Sequence, residues 1–298
     1  MIRPLFIFVG LVCFSMCVSI ADAQTRPGKK ITNEVSFDDA PERINNRYPL
    51  SDQNNDGGWR PVREVSDEFN GRRLNTTKWY PNNPKWKGRP PTYFHGSNVT
   101  VKNGEAVFRI NQHGDEAIPD GFTHTAGFLK TRKRVTYGYL EAELKLMDAP
   151  WVSGFWITNV QRDWWTEIDI CENCPGSEGR EYDLNSNMHV FRAPADKGNV
   201  TDHFDSSKRY KVPFRLQDDY HVWGLEWDPE KIRFYLDGVM FREVENTHWH
   251  QPLEINLNNE SNKWFGALPD DNRLDGEFRV KYVRVWQKRG GYDNPYED

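Results

Sequence analysis

The chain has 298 residues, a formal net charge of −5 and four cysteines, and 14% of it is Phe, Trp or Tyr. That length suits one large all-β domain, since sandwiches and barrels often run to roughly 200–250 residues as one unit. The small negative charge argues against a nucleic-acid partner, and beyond the first residues no run is apolar enough to span a membrane.

Residues 1–23 open with Met-Ile-Arg, continue through an apolar run over residues 5–20 and end in Ala21-Asp22-Ala23. A basic start, an apolar middle and an Ala-x-Ala site predict a secretory signal peptide, hence a secreted or periplasmic protein. Residues 24–57 are rich in Pro, Asn, Asp and Lys, with little periodicity. Such a composition buries little apolar surface and predicts a polar linker or flexible arm.

Residues 58–290 read as one β domain, followed by a polar tail over 291–298. Asn103-Gly104 is a hairpin turn between two short runs over 99–110. Residues 137–146 alternate through their second half, and 221–227 and 232–236 are strands joined through Asp228-Pro229. Asp237-Gly238 turns into 239–244, and 278–286 is the last strand. Without a long 3.6-residue apolar repeat, helices should be few, and many short strands predict a two-sheet sandwich. Twelve tryptophans exceed ordinary core filling. Their flat apolar faces and polar edges suit sugar rings, although most would also serve as core.

The sharpest signal is Trp164-Trp165-Thr166-Glu167-Ile168-Asp169-Ile170-Cys171-Glu172. In a straight strand Glu167 and Asp169 share one face, and strict alternation puts Glu172 on the other, in the core. A buried unpaired carboxylate is costly. One bulged residue at Ile170 or Cys171 returns Glu172 to the face of the other two acids. Two glutamates flanking an aspartate then fit retaining glycoside hydrolysis, with one carboxylate attacking and the other protonating the leaving oxygen. Asp169 between them would hydrogen-bond the nucleophile and hold the two glutamates' pKa values apart.

Once the leader is removed, Cys171 and Cys174 are the remaining cysteines. An exported C-x-x-C is open to a disulfide, a redox pair or half a zinc site. No second cysteine pair supports zinc and no βαβ context supports redox chemistry, which leaves a local disulfide or two quiet thiols.

The sequence resembles glycoside hydrolase family 16 over residues 59–288. Glu167, Asp169 and Glu172 match the bulged E-x-D-x-x-E of that family's active strand. Ser66-Asp-Glu-Phe-Asn-Gly71 with Leu74 and Trp79 resembles its first strand and turn. Tyr220-His-Val-Trp-Gly-Leu-Glu-Trp227, Tyr235-Leu-Asp-Gly238 and Tyr282-Val-Arg-Val-Trp286 resemble later strands. The resemblance implies an all-β jelly-roll sandwich of two curved antiparallel sheets with a concave substrate groove. It implies Glu167 as nucleophile, Asp169 as helper and Glu172 as acid/base.

Trp86-Lys-Gly-Arg89-Pro-Pro91 is similar to a segment of κ-carrageenases, whereas Asn258-Asn-Glu260 with Trp264 is more similar to agarases and porphyranases. Gly154-Phe-Trp156 and Asn187-Met-His189 fit the same red-algal galactanase branch. The substrate-binding candidates are Trp86, Arg89, Trp156, Trp164, Asn187, His189, Arg192, Glu260 and Trp264, with Arg89, His189 and Arg192 as cationic partners for sulfate. The expectation is a monomeric retaining endo-hydrolase of β-1,4 linkages in a sulfated galactan such as κ-carrageenan or furcellaran. A β-agarase or porphyranase, a laminarinase, a transglycosylase and a noncatalytic polysaccharide-binding jelly roll are the alternatives. Lys281 stands where many family members carry a calcium-binding aspartate, so no metal and no cofactor is expected.

Overall fold

The computed structural model describes residues 33–112, 118–261, 265 and 274–293. Two large antiparallel sheets face each other as a β-jelly roll, and the described residues include the short 3-10 turns Leu50–Asp52, Gly96–Asn98 and Ala195–Lys197.

The back sheet runs in the order Val239–Glu245, Lys231–Leu236, His221–Trp227, Gly138–Lys145, Phe278–Lys288, Glu105–Phe108, Val99–Lys102. The cleft sheet runs Phe204–Asp205, Asp183–Arg192, Trp165–Asn173, Val152–Val160, Glu254–Glu260, Phe128–Thr131, Trp79–Tyr80. Period-two alternation decides what each sheet sends inward. Leu140, Ala142 and Leu144 face Phe155, Ile157, Ile168, Ile255 and Leu257 in one core, all fully buried. Most tryptophans are structural, as their number allowed: Trp59, Trp79, Trp151, Trp223, Trp227, Trp249 and Trp286 are buried.

Residues 33–57 depart from the expected flexible arm. Residues 33–35 bridge Lys211 beside the cleft sheet, and the stretch from Arg43 to Leu50 lies on the outer face of the back sheet, where Glu141 is fully buried. Arg43 donates to the Glu141 carboxylate and to the Tyr282 hydroxyl, and the Leu50 backbone N–H donates to Glu141 at 2.7 Å. The Trp286 indole donates to the Arg47 carbonyl at 2.7 Å, and Arg284 donates to Asn46 at 3.0 Å. The arm is held by polar groups that the sheet needs satisfied, and composition alone cannot show that.

Candidate active site

One bulge makes the row of acids. On Val152–Val160, Thr158 pairs with Glu167, Trp156 with Asp169, Phe155 with Cys171 and Gly154 with Glu172. Ile170 has no partner of its own, so it is the extra residue. Ile168, Ile170 and Cys171 all enter the core, while Glu167, Asp169 and Glu172 line a cleft of about 550 Å³. Gly154, opposite Glu172, lets the Asn258 amide approach the strand, because a Cβ there would lie 2.6 Å from Asn258 Oδ1.

The cleft is poor in water and rich in carboxylates, and both effects favour the neutral acid. Glu167 is raised well above the usual carboxylate range by burial and then by the Asp169 charge, with His189 and the Thr158 hydroxyl opposing. Asp169 is raised to about 7 by burial and by Glu260, with Arg89 opposing. Burial likewise raises Glu260 to about 7 against the pull of Arg89. Burial and their mutual repulsion therefore disfavour Glu167 and Asp169 ionising together near neutral pH.

One wall is aromatic and cationic. The Trp86 ring stands edge-on to Phe94 at 4.9 Å and to Trp156 at 6.3 Å, and the Arg89 guanidinium lies 5.7 Å from it. Gly88 turns the chain into Arg89 with φ +109°, where any side chain would meet the Thr92 carbonyl at 2.5 Å. Arg89 pairs with Glu260 at 3.2 Å. The Trp156 indole donates to Asn258 Oδ1 at 2.7 Å, and the Asn258 amide donates to Glu260. Trp86, Arg89, Trp156 and Glu260 thus line one cleft.

On the neighbouring strand Phe191 lines the cleft, whereas Asn187, His189 and Arg192, expected to bind substrate, flank the active strand without lining it. His189 lies opposite Glu167 and Asn187 opposite Asp169. His189 Nε2 is 3.3 Å from Asp169 Oδ2 and accepts from the Asn187 amide at 2.9 Å. Arg192 lies opposite Trp165 with its guanidinium 5.2 Å from that ring. Glu167, Asp169 and His189 each offer a ligand atom within 4.8 Å of the others.

Residues 59–288 match a family described as the GH16 domain of β-porphyranases A–D. The chain belongs to glycoside hydrolase family 16. Porphyranase B of Zobellia galactanivorans is 27% identical over 77% of this chain and 85% of its own length. A κ-carrageenase of Pseudoalteromonas carrageenovora is 26% identical over 76% of this chain and 64% of its own length. The crystal structure of porphyranase B from Z. galactanivorans superposes with a TM-score of 0.70 at 26% identity, covering 77% of this chain and 92% of that one. These relatives place the chain in the red-algal galactanase branch of family 16.

Two expectations about this family 16 site change. Cys171 and Cys174 are free thiols, not a disulfide. Cys171 enters the main core, with its Sγ 3.4 Å from the Asn173 amide, whereas Cys174 joins a separate cluster with Val152 and Phe265 and contacts the Ser177 hydroxyl at 3.1 Å. Burial raises both thiols, Cys174 to about 11, which leaves them inert. Trp165 lines the cleft in place of Trp164, because Trp165 shares the strand parity of Glu167. Trp164 packs instead against the core, with the Lys197 ammonium 5.7 Å from its ring. Trp264 falls outside the described residues.

Several cleft residues were missed by the sequence reading. Thr158 and Trp165 carried the signal of strand parity. Lys130, which pairs with Glu254 at 3.3 Å, and Phe191, which stacks on Trp165 at 4.0 Å, carried none. Phe191 sits at an irregularity between Trp165 and Thr166 that no residue pattern marks.

Proposed function

We propose that the chain is an exported endo-hydrolase that cleaves β-1,4 linkages of a sulfated red-algal galactan of the porphyran type with retention of configuration. The observation that carries this reading is the bulged row Glu167–Asp169–Glu172 at the floor of an aromatic and cationic cleft. The two glutamates lie opposite Thr158 and Gly154, four residues apart, so their Cα atoms are separated by roughly 13 Å at about 3.3 Å per residue. Side chains leaning inward from that spacing suit the separation of about 5–5.5 Å that a retaining pair needs.

In the first step the Glu167 carboxylate attacks the anomeric carbon while Glu172 gives its proton to the departing glycosidic oxygen. In the second, the Glu172 carboxylate takes a proton from water, and the water oxygen displaces Glu167 and frees the sugar. Trp86, Trp156 and Trp165 offer apolar faces to sugar rings, and Arg89, Lys130 and Arg192 offer cations to sulfate esters. The motif around Trp86 puts κ-carrageenan first, and the match to the porphyranase domain moves porphyran ahead of it. The leader motif over residues 1–23 supports export.

Proton NMR of a porphyran digest tests the stereochemistry directly. The β-anomer of the new reducing end should appear first and then mutarotate, and initial α-anomer would refute retention. Glu172→Gln should lower turnover by at least 10²-fold, as loss of a general acid does, while the polymer remains bound. Unchanged turnover would remove Glu172 from its role.

A further inference from the structure

His203 does not line the cleft, lies on an exposed turn and belongs to none of the motifs in the sequence. Its position is nevertheless fixed. Its ring stacks on Phe191 at 4.4 Å with only 7° between the planes, and Phe191 stacks in turn on Trp165 at 4.0 Å. His203 Nε2 lies 2.9 Å from His189 Nδ1, and His189 Nε2 lies 3.3 Å from Asp169 Oδ2. A continuous line of contacts therefore joins an exposed imidazole to the central acid of the active strand.

The direction of the hydrogen bonds along this line follows from its two ends. Asn187 Oδ1 accepts from the Met188 N–H at 2.8 Å, which fixes the amide so that its NH₂ group donates to His189 Nε2. His189 Nε2 is then an acceptor, and in a neutral ring the proton must sit on Nδ1. That proton points at His203 Nε2, which must accept it. Burial and the neighbouring His189 lower His203 below the usual imidazole value and keep it neutral, with Asp205 opposing. The charged and titratable groups facing the pair are Glu167 and Asp169 on the active strand and Asp205, which lies opposite His189. His248 stands behind Phe204, 5.4 Å from its ring.

We propose that His203 is a positioning residue that sets the tautomer of His189 and, through it, keeps a proton on Asp169 so that Glu167 can ionise. With His189 held as the Nδ1–H tautomer, its one Nε2 lone pair faces the Asn187 amide and offers no proton to Asp169 Oδ2 3.3 Å away, so the imidazole does not stabilise an Asp169 carboxylate. No net proton moves, and Asp169 stays neutral. A neutral Asp169 removes the charge that opposes ionisation of Glu167. If His203 could not accept, the Nδ1–H would lose its partner, and His189 could carry its proton on Nε2 instead, with the Asn187 amide turned from it, and donate to an Asp169 carboxylate. Glu167 would then face a neighbouring anion and hold its own proton to higher pH. The catalytic part of this inference rests on the proposed hydrolysis, whereas the tautomer does not.

The test uses two variants and two readouts. His203→Phe keeps a ring on Phe191 but removes the acceptor, and His203→Gln replaces the acceptor with an amide oxygen. Nitrogen-15 NMR of histidine-labelled protein should show His189 as the Nδ1–H tautomer in the wild type and in His203→Gln, and shifted toward Nε2–H in His203→Phe. A wild-type His189 with its proton on Nε2 overturns the inference, whether or not the chain cleaves any polymer. In the pH profile of kcat/KM, the acid limb of His203→Phe should move up by about one unit, so activity on that limb falls about tenfold, with His203→Gln restoring the wild-type limb. Equal profiles for all three proteins, or equal losses in both variants, would overturn it.

Discussion

Glu260 sits where a carboxylate is costly, since its titration is moved from 4.5 to about 7 chiefly by burial, with Arg89 opposing. Between those two pH values the folded chain binds more protons at this residue than the unfolded chain does. Stability from this group is therefore fully present below about pH 4.5 and is lost as pH rises through about 7. Glu260→Gln, which stays neutral throughout, should raise Tm relative to wild type at pH 8, and the gain should vanish near pH 4.5. An equal difference at both pH values would mean that the Arg89 contact, and not the proton, decides. The row of acids was legible in the sequence because three carboxylates in line make little sense as structure. The buffering around them was not, because Arg89 and Glu260 are distant in sequence and meet only through the fold.

At the scale of the strand, the bulge at Ile170 reconciles two demands that regular alternation cannot. It sends Ile168, Ile170 and Cys171 inward and still brings Glu172 out beside Gly154. Deleting Ile170 should leave the register intact, because five steps on this strand already match four on its partner. The deletion should fold with Tm lowered by the loss of a buried isoleucine, on the order of 2–5 kcal/mol. It should also keep Glu172 on the cleft face opposite Gly154, because without Ile170 the three acids fall on every second residue, so kcat/KM should fall by less than about tenfold. Circular dichroism melts and steady-state kinetics check both, and a loss of roughly 10²-fold or more would show that the bulge sets the aim of Glu172 and not only its face. The bulge itself was readable from the cost of burying an acid. The irregularity beside Phe191 was not, since neither Phe191 nor its neighbours carry a charge whose burial would signal it.

Over the whole molecule, the cleft depends on a sheet whose outer face is sealed by residues 33–57. Glu141 is fully buried, and its ionic partner is Arg43, with side-chain exposures of 0% and 22%. Arg43→Ala should cost about 2 kcal/mol in urea denaturation, below the roughly 3–5 kcal/mol of a fully buried pair because Arg43 is partly solvated. An unchanged midpoint would mean that Tyr282 and the Leu50 N–H suffice for Glu141. The two-sheet sandwich was legible from alternation and turn signals, and the order of strands within each sheet was not. The seal was not, because a polar segment is identified by the apolar surface it lacks and not by the buried charge it neutralises. The central claim is that this family 16 cleft hydrolyses a sulfated galactan. It is tested most directly by a reducing-end assay of the mature protein on porphyran, κ-carrageenan, agarose and laminarin side by side. The account predicts release from porphyran above the other three, and cleavage of laminarin alone, or of none of the four, would contradict it.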